Sequence, residues 1–200
     1  MIDFPDSIFP AMSSAADMTQ LCEYFGGKIV ETVEFRGEQT LRVELGALHE
    51  VLAKCRNELA YAMVLDISSV DHLGEDPRFE IVYEIASVDD SRRLRVKAKV
   101  AADEMVPSAT DLWAGADWHE REVWDMMGIP FANHPNLKRI LMWEGYPFFP
   151  LRKDFPLAGR PSVMPDVAFT GVAPLEGGPF VTSAGGTNTV VREPRARVVE

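Results

Sequence analysis

Apolar and polar positions along the chain follow two periods, and the switches between them mark out the elements. Over 14–25, Met18, Leu21, Cys22 and Phe25 recur at helical spacing, and Gly26-Gly27 supply a stop. Residues 28–35 and 39–45 read as two strands joined at Arg36-Gly37-Glu38; in the second, Leu41, Val43 and Leu45 alternate with Thr40, Arg42 and Glu44. A second amphipathic helix spans 47–59, with Leu48, Val51, Leu52, Cys55 and Leu59 on one face. The nearly continuous apolar run at 60–68 predicts a central strand.

A hairpin follows. Phe79, Ile81, Tyr83 and Ile85 alternate with Glu80 and Glu84; Leu94, Val96, Ala98 and Val100 alternate with Arg93, Arg95, Lys97 and Lys99; Asp89-Asp90-Ser91 make the turn. With the apolar face buried under helices, the other face sets glutamates beside bases as a solvated surface of cross-strand ion pairs. The order helix, two strands, helix, three strands predicts an α+β domain over 12–130: a mostly antiparallel sheet with helices packed on one face.

Residues 118–127 form the last predicted helix. Asp117 reads as its N-cap, Glu120 completes a capping-box pattern, and Gly128 followed by Pro130 ends it. Val123, Trp124, Met126 and Met127 form its apolar arc, with Arg121, Glu122 and Asp125 opposite. Glu120 falls inside the arc and requires a partner there, either the N-cap backbone or a distant base. Beyond it, Pro130, Pro135, Pro147, Pro150 and Pro156 forbid long regular elements, while Phe131, Trp143, Tyr146, Phe148, Phe149 and Phe155 supply large apolar contacts without a period. This segment, 131–160, reads as a docking interface or as a loop folded back on its own domain.

Composition narrows the function. Lys and Arg number 20 against 31 Asp and Glu, a net charge of −11, which argues against general nucleic-acid binding and against electrostatic adhesion to an anionic membrane. The excess is local: residues 1–116 carry 21 acids and 11 bases, whereas 138–160 hold Lys138, Arg139, Arg152, Lys153 and Arg160 against Glu144 and Asp154. Cys22 and Cys55 have no metal or disulfide spacing. The N-terminus lacks the pattern of a signal peptide, no apolar run approaches membrane-spanning length, and neither phosphate-cradling glycine motif occurs. His119, Glu122, Asp125 and His134 are ligand types for a metal, but the second histidine of HExxH is missing. Glu120 and Glu122 could serve acid–base chemistry, yet they point about 200° apart on one helix. The third reading gives these residues structural work: buried ion pairs and caps that fix a docking element.

The run Glu120-Arg121-Glu122, followed by Asp125, His134, Lys138 and Ile140-Leu141, resembles the signature of the 30-kDa subunit of respiratory complex I (NADH–quinone oxidoreductase). Pro150-Leu151-Arg152-Lys153-Asp154-Phe155-Pro156 resembles that family's second hallmark. The likeness covers 117–160 strictly and extends over 12–160 through the order of elements. Phe148-Phe149 depart from it, standing where many relatives have smaller or more polar residues.

The resemblance implies a subunit of the peripheral arm on the cytoplasmic or matrix side of the membrane, associated with the membrane only through the complex. It implies no active site and no cofactor or metal in this chain, FMN and Fe–S clusters lying in partner subunits. NADH and quinone would be bound by the complex, and this chain would dock on the hydrogenase-like 49-kDa-type subunit and on its peripheral-arm neighbours. By the same resemblance Glu120, Arg121, Glu122, Asp125, His134, Lys138, Arg139, Arg152, Lys153, Asp154 and Phe155 hold structural and interface roles. Two other classes stand beside it: the corresponding subunit of a membrane-bound hydrogenase or other-donor quinone oxidoreductase, and a free-standing small enzyme. Residues 161–200, rich in Pro and Gly, read as an extended arm lying on a partner.

Overall fold

The computed structural model of the protein describes residues 14–155, together with the backbone of 160–162 and 196–198. Three helices, α1 (Ala15–Phe25), α2 (Leu48–Glu58) and α3 (Ala116–Met127), accompany a five-stranded sheet. Its strands are β1 (Ile29–Phe35), β2 (Glu38–Val43), β3 (Met63–Asp71), β4 (Phe79–Ala86) and β5 (Arg93–Val100), in the spatial order β1-β2-β5-β4-β3. Three neighbouring pairs are antiparallel, and β2 runs parallel to β5, with Leu41 opposite Val96. The predicted α+β class and the mostly antiparallel sheet are observed. Two short parallel pairs complete the strands: β6 (Val106–Pro107) with β7 (Phe131–Ala132), and β8 (Arg160–Ser162) with β9 (Ala196–Val198). The remainder of the predicted C-terminal arm lies outside the described residues.

Alternation along the strands builds the core. Phe79, Ile81, Tyr83 and Ile85 of β4, Leu94, Val96, Ala98 and Val100 of β5 and Leu41 and Val43 of β2 share one buried cluster with Leu21 and Phe25 of α1 and Leu48, Val51, Leu52 and Cys55 of α2. Burial pushes the Cys55 thiol up to about 12, so it acts as a small apolar side chain. Beneath α1, the buried Asp17 carboxylate accepts hydrogen bonds from Tyr61 Oη at 2.9 Å and from the Arg92 guanidinium.

The apolar run at 60–68 does not become a central strand. Its strand begins at Met63 and lies at the sheet edge, with Met63 and Leu65 each at least 40% exposed. The central place goes to β5, whose single apolar face is enough because its long Arg and Lys side chains cover the other. Hydrophobicity alone does not separate a strand covered by sheet neighbours from one covered by a helix, and α3 packs against β3.

The outer sheet face is less solvated than its pattern predicts. Arg95 pairs with Glu84 across the β4–β5 ladder as expected. Glu80, however, is only 3% exposed: Arg42 reaches it at 3.0 Å and Lys97 at 3.3 Å, and their aliphatic stems close over it. Burial raises the Glu80 carboxyl, and the two cations overcome that and hold it below its ordinary value.

The edge and central positions give opposite expectations. Leu94→Ala, in the fully buried middle of the sheet, should cost ~2–5 kcal/mol in urea denaturation. Met63→Lys on the exposed edge should stay within ~0.5 kcal/mol of the parent.

Candidate docking surface

Helix α3 begins two residues earlier than its sequence suggests, at Ala116. Gly115 occupies the N-cap without a side-chain cap, and Asp117 lies in the first turn. The expected capping box is absent, because Glu120 turns inward. It is fully buried, its Oε1 accepts the Ala109 N–H at 2.7 Å, and its Oε2 accepts the Ser108 hydroxyl at 2.7 Å. The partners of this carboxylate are thus neither the N-cap backbone nor a base, but a hydroxyl and an amide delivered by the turn before the helix. At the other end Gly128 adopts φ +73° and donates its N–H to the Trp124 carbonyl at 2.8 Å.

Asp125 differs most from its expected place. It is fully buried instead of lying on the polar side of α3. Its Oδ2 accepts three successive backbone N–H groups, from Ile140 at 2.9 Å, Leu141 at 2.7 Å and Met142 at 3.0 Å. Its Oδ1 accepts from Arg139 Nη1 at 2.5 Å. Burial pushes this carboxyl up, but the three amides and the guanidinium outweigh it and hold the pKa below the ordinary value. Arg139 also donates to the carbonyls of Asp125, at 2.9 Å, and Phe148, at 3.1 Å, and lies against the rings of Trp124, Tyr146 and Phe149.

The 131–155 segment therefore folds back over α3. Its aromatic residues pack on one another, Trp143 with Tyr146 at 4.5 Å between ring centroids and Tyr146 with Phe148 at 5.6 Å. Phe155 continues the row, 6.0 Å from Phe148. Arg152 donates from Nε to the Met127 carbonyl at 2.5 Å and stacks on Phe149 and Phe79, neutralising the C-terminal end of the helix. Burial, then the neighbouring Arg78, lower its pKa from the ordinary arginine value. Only a glycine suits position 128: a Cβ there would lie 2.5 Å from Arg152 Nη2 and 2.6 Å from Phe149, at a φ that other residues rarely adopt.

The second motif is tied to the sheet. Arg78 grips Asp71 through Nε and Nη2, both at 2.8 Å, and Nη2 also reaches Asp154 at 2.8 Å. Asp71 accepts the Lys153 backbone N–H at 2.8 Å as well. The Arg78 guanidinium holds the carboxyls of both Asp71 and Asp154 below their ordinary values. Asp71, Arg78, Ser108 and Ala109 are participants that sequence reading missed. No local pattern marks them: Asp71 and Arg78 meet across the β3–β4 turn and then reach Lys153 and Asp154 far along the chain, and Ser108 and Ala109 meet Glu120 only once α3 has folded.

The remaining signature residues divide in two groups. His134 has a fully buried side chain and faces Asp117 and Glu120. Arg121 lies on Trp118 and donates to the Lys138 carbonyl at 3.1 Å. Glu122, Lys138, Lys153 and Asp154 are exposed. The basic patch is accordingly split, with Arg139 and Arg152 facing inward and Lys138 and Lys153 facing solvent. His119, expected as a possible ligand, pairs instead with Asp66 at 3.2 Å. Among the described residues no group of three or more His, Cys, Asp or Glu side chains could hold a metal ion.

Asp125→Ala would leave Arg139 and three amides without their acceptor and should cost ~3–5 kcal/mol in chemical denaturation. Glu122→Ala on the same helix should stay within ~0.5 kcal/mol. Because the folded-state pKa of Asp125 is depressed, its contribution is present above the ordinary carboxylate value and is lost as pH falls through the folded value. The stability gap between the parent and Asp125→Asn should therefore shrink below pH ~4.

Comparison with known proteins places this geometry. The family model of the respiratory-chain NADH dehydrogenase 30-kDa subunit matches residues 41–161. A NADH-quinone oxidoreductase subunit of Citrifermentans bemidjiense is 47% identical over 143 residues, spanning 71% of this chain and 89% of that protein. Its counterpart in Geotalea uraniireducens is 44% identical over 70% of this chain and 86% of its own length. A chain of the membrane-bound sulfane sulfur reductase, an archaeal respiratory membrane complex, shares the fold with a TM-score of 0.63 at 21% identity, covering 72% of this chain and 86% of that one. The helix, the segment folded over it and the Arg152-Lys153-Asp154 run all lie within the matched stretch, and the chain belongs to the 30-kDa subunit family of the respiratory-chain NADH dehydrogenase, the NADH-quinone oxidoreductase of complex I.

Proposed function

We propose that this chain is a non-catalytic structural subunit of the peripheral arm of NADH:quinone oxidoreductase, docked on the 49-kDa-type subunit along α3 and the segment folded over it. Flavin, clusters, NADH and quinone belong to other subunits in this reading, and the chain supports electron transfer by holding its partner in place. It meets the membrane through the complex, on the cytoplasmic or matrix side. No helix among the described residues is long and apolar enough to cross a membrane.

One observation carries the proposal. The polar groups of the folded-back segment are largely committed to the chain itself, yet Trp118, Leu141 and Leu151 are 62%, 60% and 52% exposed. All three are fixed to α3: Trp118 belongs to it, the Leu141 N–H donates to Asp125, and the Leu151 N–H donates to the Met126 carbonyl at 3.1 Å. Large apolar side chains held rigidly at the surface, with Lys138 and Lys153 nearby in the chain, have the composition of an interface core and its polar rim. Preorganisation lowers the ordering cost of association.

The double variant Leu141→Glu/Leu151→Glu tests the surface without touching the core. The amount of 49-kDa-type subunit recovered with the tagged chain should fall by at least about tenfold, equivalent to ~1.4 kcal/mol. The urea midpoint of the free chain should not move. Normal recovery of that partner together with unchanged quinone reductase activity would overturn the proposal.

A further inference from the structure

The carboxylate buried at Glu120 has an unusual setting. Oε1 and Oε2 accept from the Ala109 amide and the Ser108 hydroxyl, and no hydrogen bond or ion pair from a Lys or Arg reaches the group among the described residues. Its titratable and charged neighbours are Asp117 on its own helix, Asp111 in the turn after Ser108, Tyr83 on β4 and His134 after β7. Asp111 is already engaged by His49 Nε2 at 3.0 Å. The Tyr83 hydroxyl is buried without a hydrogen-bond partner, as is Asp117 Oδ1.

Among the described residues His134 is the one base near enough to neutralise Glu120, its Nε2 standing 3.9 Å from Oε2. Its hydrogen bonds oppose that role. Nδ1 accepts the Asn136 N–H at 3.0 Å and so carries no proton. Nε2 donates to the Asp117 carbonyl oxygen at 3.2 Å, with Asp117 Oδ1 also 3.2 Å away but not hydrogen-bonded to it. These two contacts assign the ring hydrogen to Nε2. A second proton could enter only at Nδ1, where it would face the Asn136 N–H and break the bend at 134–136.

A proton on Glu120 meets no such obstacle. Protonated at Oε2, the carboxyl donates to Ser108 Oγ, and Ser108 turns its own hydroxyl toward Thr110 Oγ1 at 2.9 Å. Thr110 is half-buried and reaches solvent. The two hydroxyls thus form a path along which a solvent proton binds Thr110, the Thr110 proton passes to Ser108, and the Ser108 proton passes to Glu120. One O–H bond forms for each that breaks, and the net change is a single proton gained by the carboxylate.

We propose that Glu120 is a buried proton-binding site of this subunit, filled from solvent through the Ser108 and Thr110 hydroxyls, and that its proton keeps residues 134–142 seated on α3. With the proton bound, His134 retains its contacts to the Asp117 carbonyl and the Asn136 amide. With it lost, a buried carboxylate held only by the Ala109 amide and the Ser108 hydroxyl feels the like charges of Asp111 and Asp117, and release of the segment that carries His134 lets water reach it. Burial pushes this carboxyl up to about 7, so the site titrates near neutrality. Because the folded-state pKa is raised, the stabilisation is complete below the ordinary glutamate value of 4.5, declines as pH rises, and is gone above about 7. The site is independent of which partner covers the outer surface.

Carboxyl-carbon NMR of the full-length chain tests the site directly. Glu120 Cδ should titrate near pH 7, and that resonance should be absent in Glu120→Gln. Protection of the Asn136, Ile140, Leu141 and Met142 amides, corrected for intrinsic exchange, should fall about tenfold from pH 6 to pH 8 in the parent and stay level in Glu120→Gln. Titration of Glu120 below pH 5 would overturn the proton site. Level protection in the parent would overturn the seating. The parent titration decides the first point even where a variant fails to fold.

Discussion

Much of this structure depends on one buried carboxylate. Asp125 collects three consecutive backbone amides and a guanidinium, and this cluster folds the 139–149 stretch back across α3. A proline-rich segment has few backbone hydrogen bonds of its own to offer, so it needs an external acceptor for its amides. The carboxylate supplies one, and the amides supply the compensation that a buried charge requires. With Arg139 fixed there, its planar face becomes a floor for Trp124, Tyr146 and Phe149.

The same logic recurs where the segment ends. Arg152 covers the last carbonyls of α3, and Arg78 bridges Asp71 of β3 to Asp154. Helix, sheet and irregular segment are thus joined by charge-assisted bonds at points where regular secondary structure cannot connect them. Such pairs fix geometry more surely than they add stability. A fixed geometry is what an interface subunit needs, since side chains already held in place lose little entropy on association.

Residues of one helix acquire different chemistry from what packs over them. Glu120 and Asp125 are both fully buried on α3, yet burial dominates one and hydrogen bonds dominate the other. Glu120 receives one amide and one hydroxyl, and its carboxyl is raised; Asp125 receives three amides and an arginine, and its carboxyl is lowered. Glu122, two residues from Glu120, stays in solvent. The helix periodicity that ranks these positions by face carries no information about the partners.

The sequence by itself determined the three helices and the five strands of the main sheet, the helix stop at Gly128, the buried faces of β4 and β5, and the family, because each depends on local spacing or on a short linear motif; the short pairs β6–β7 and β8–β9 it did not show. It placed Glu120 in an apolar arc and demanded a partner for it, without revealing Ser108 and Ala109. It misjudged the 60–68 run, since an edge strand covered by a helix and a central strand covered by neighbours have the same hydrophobicity. It also set Asp125 on the polar face. Only the tertiary structure decided that the chain returns over that face and makes it interior. The reason is physical: burial and pairing are properties of what lies across the fold, and the residues that meet there, such as Arg78 and Asp154, are far apart along the chain.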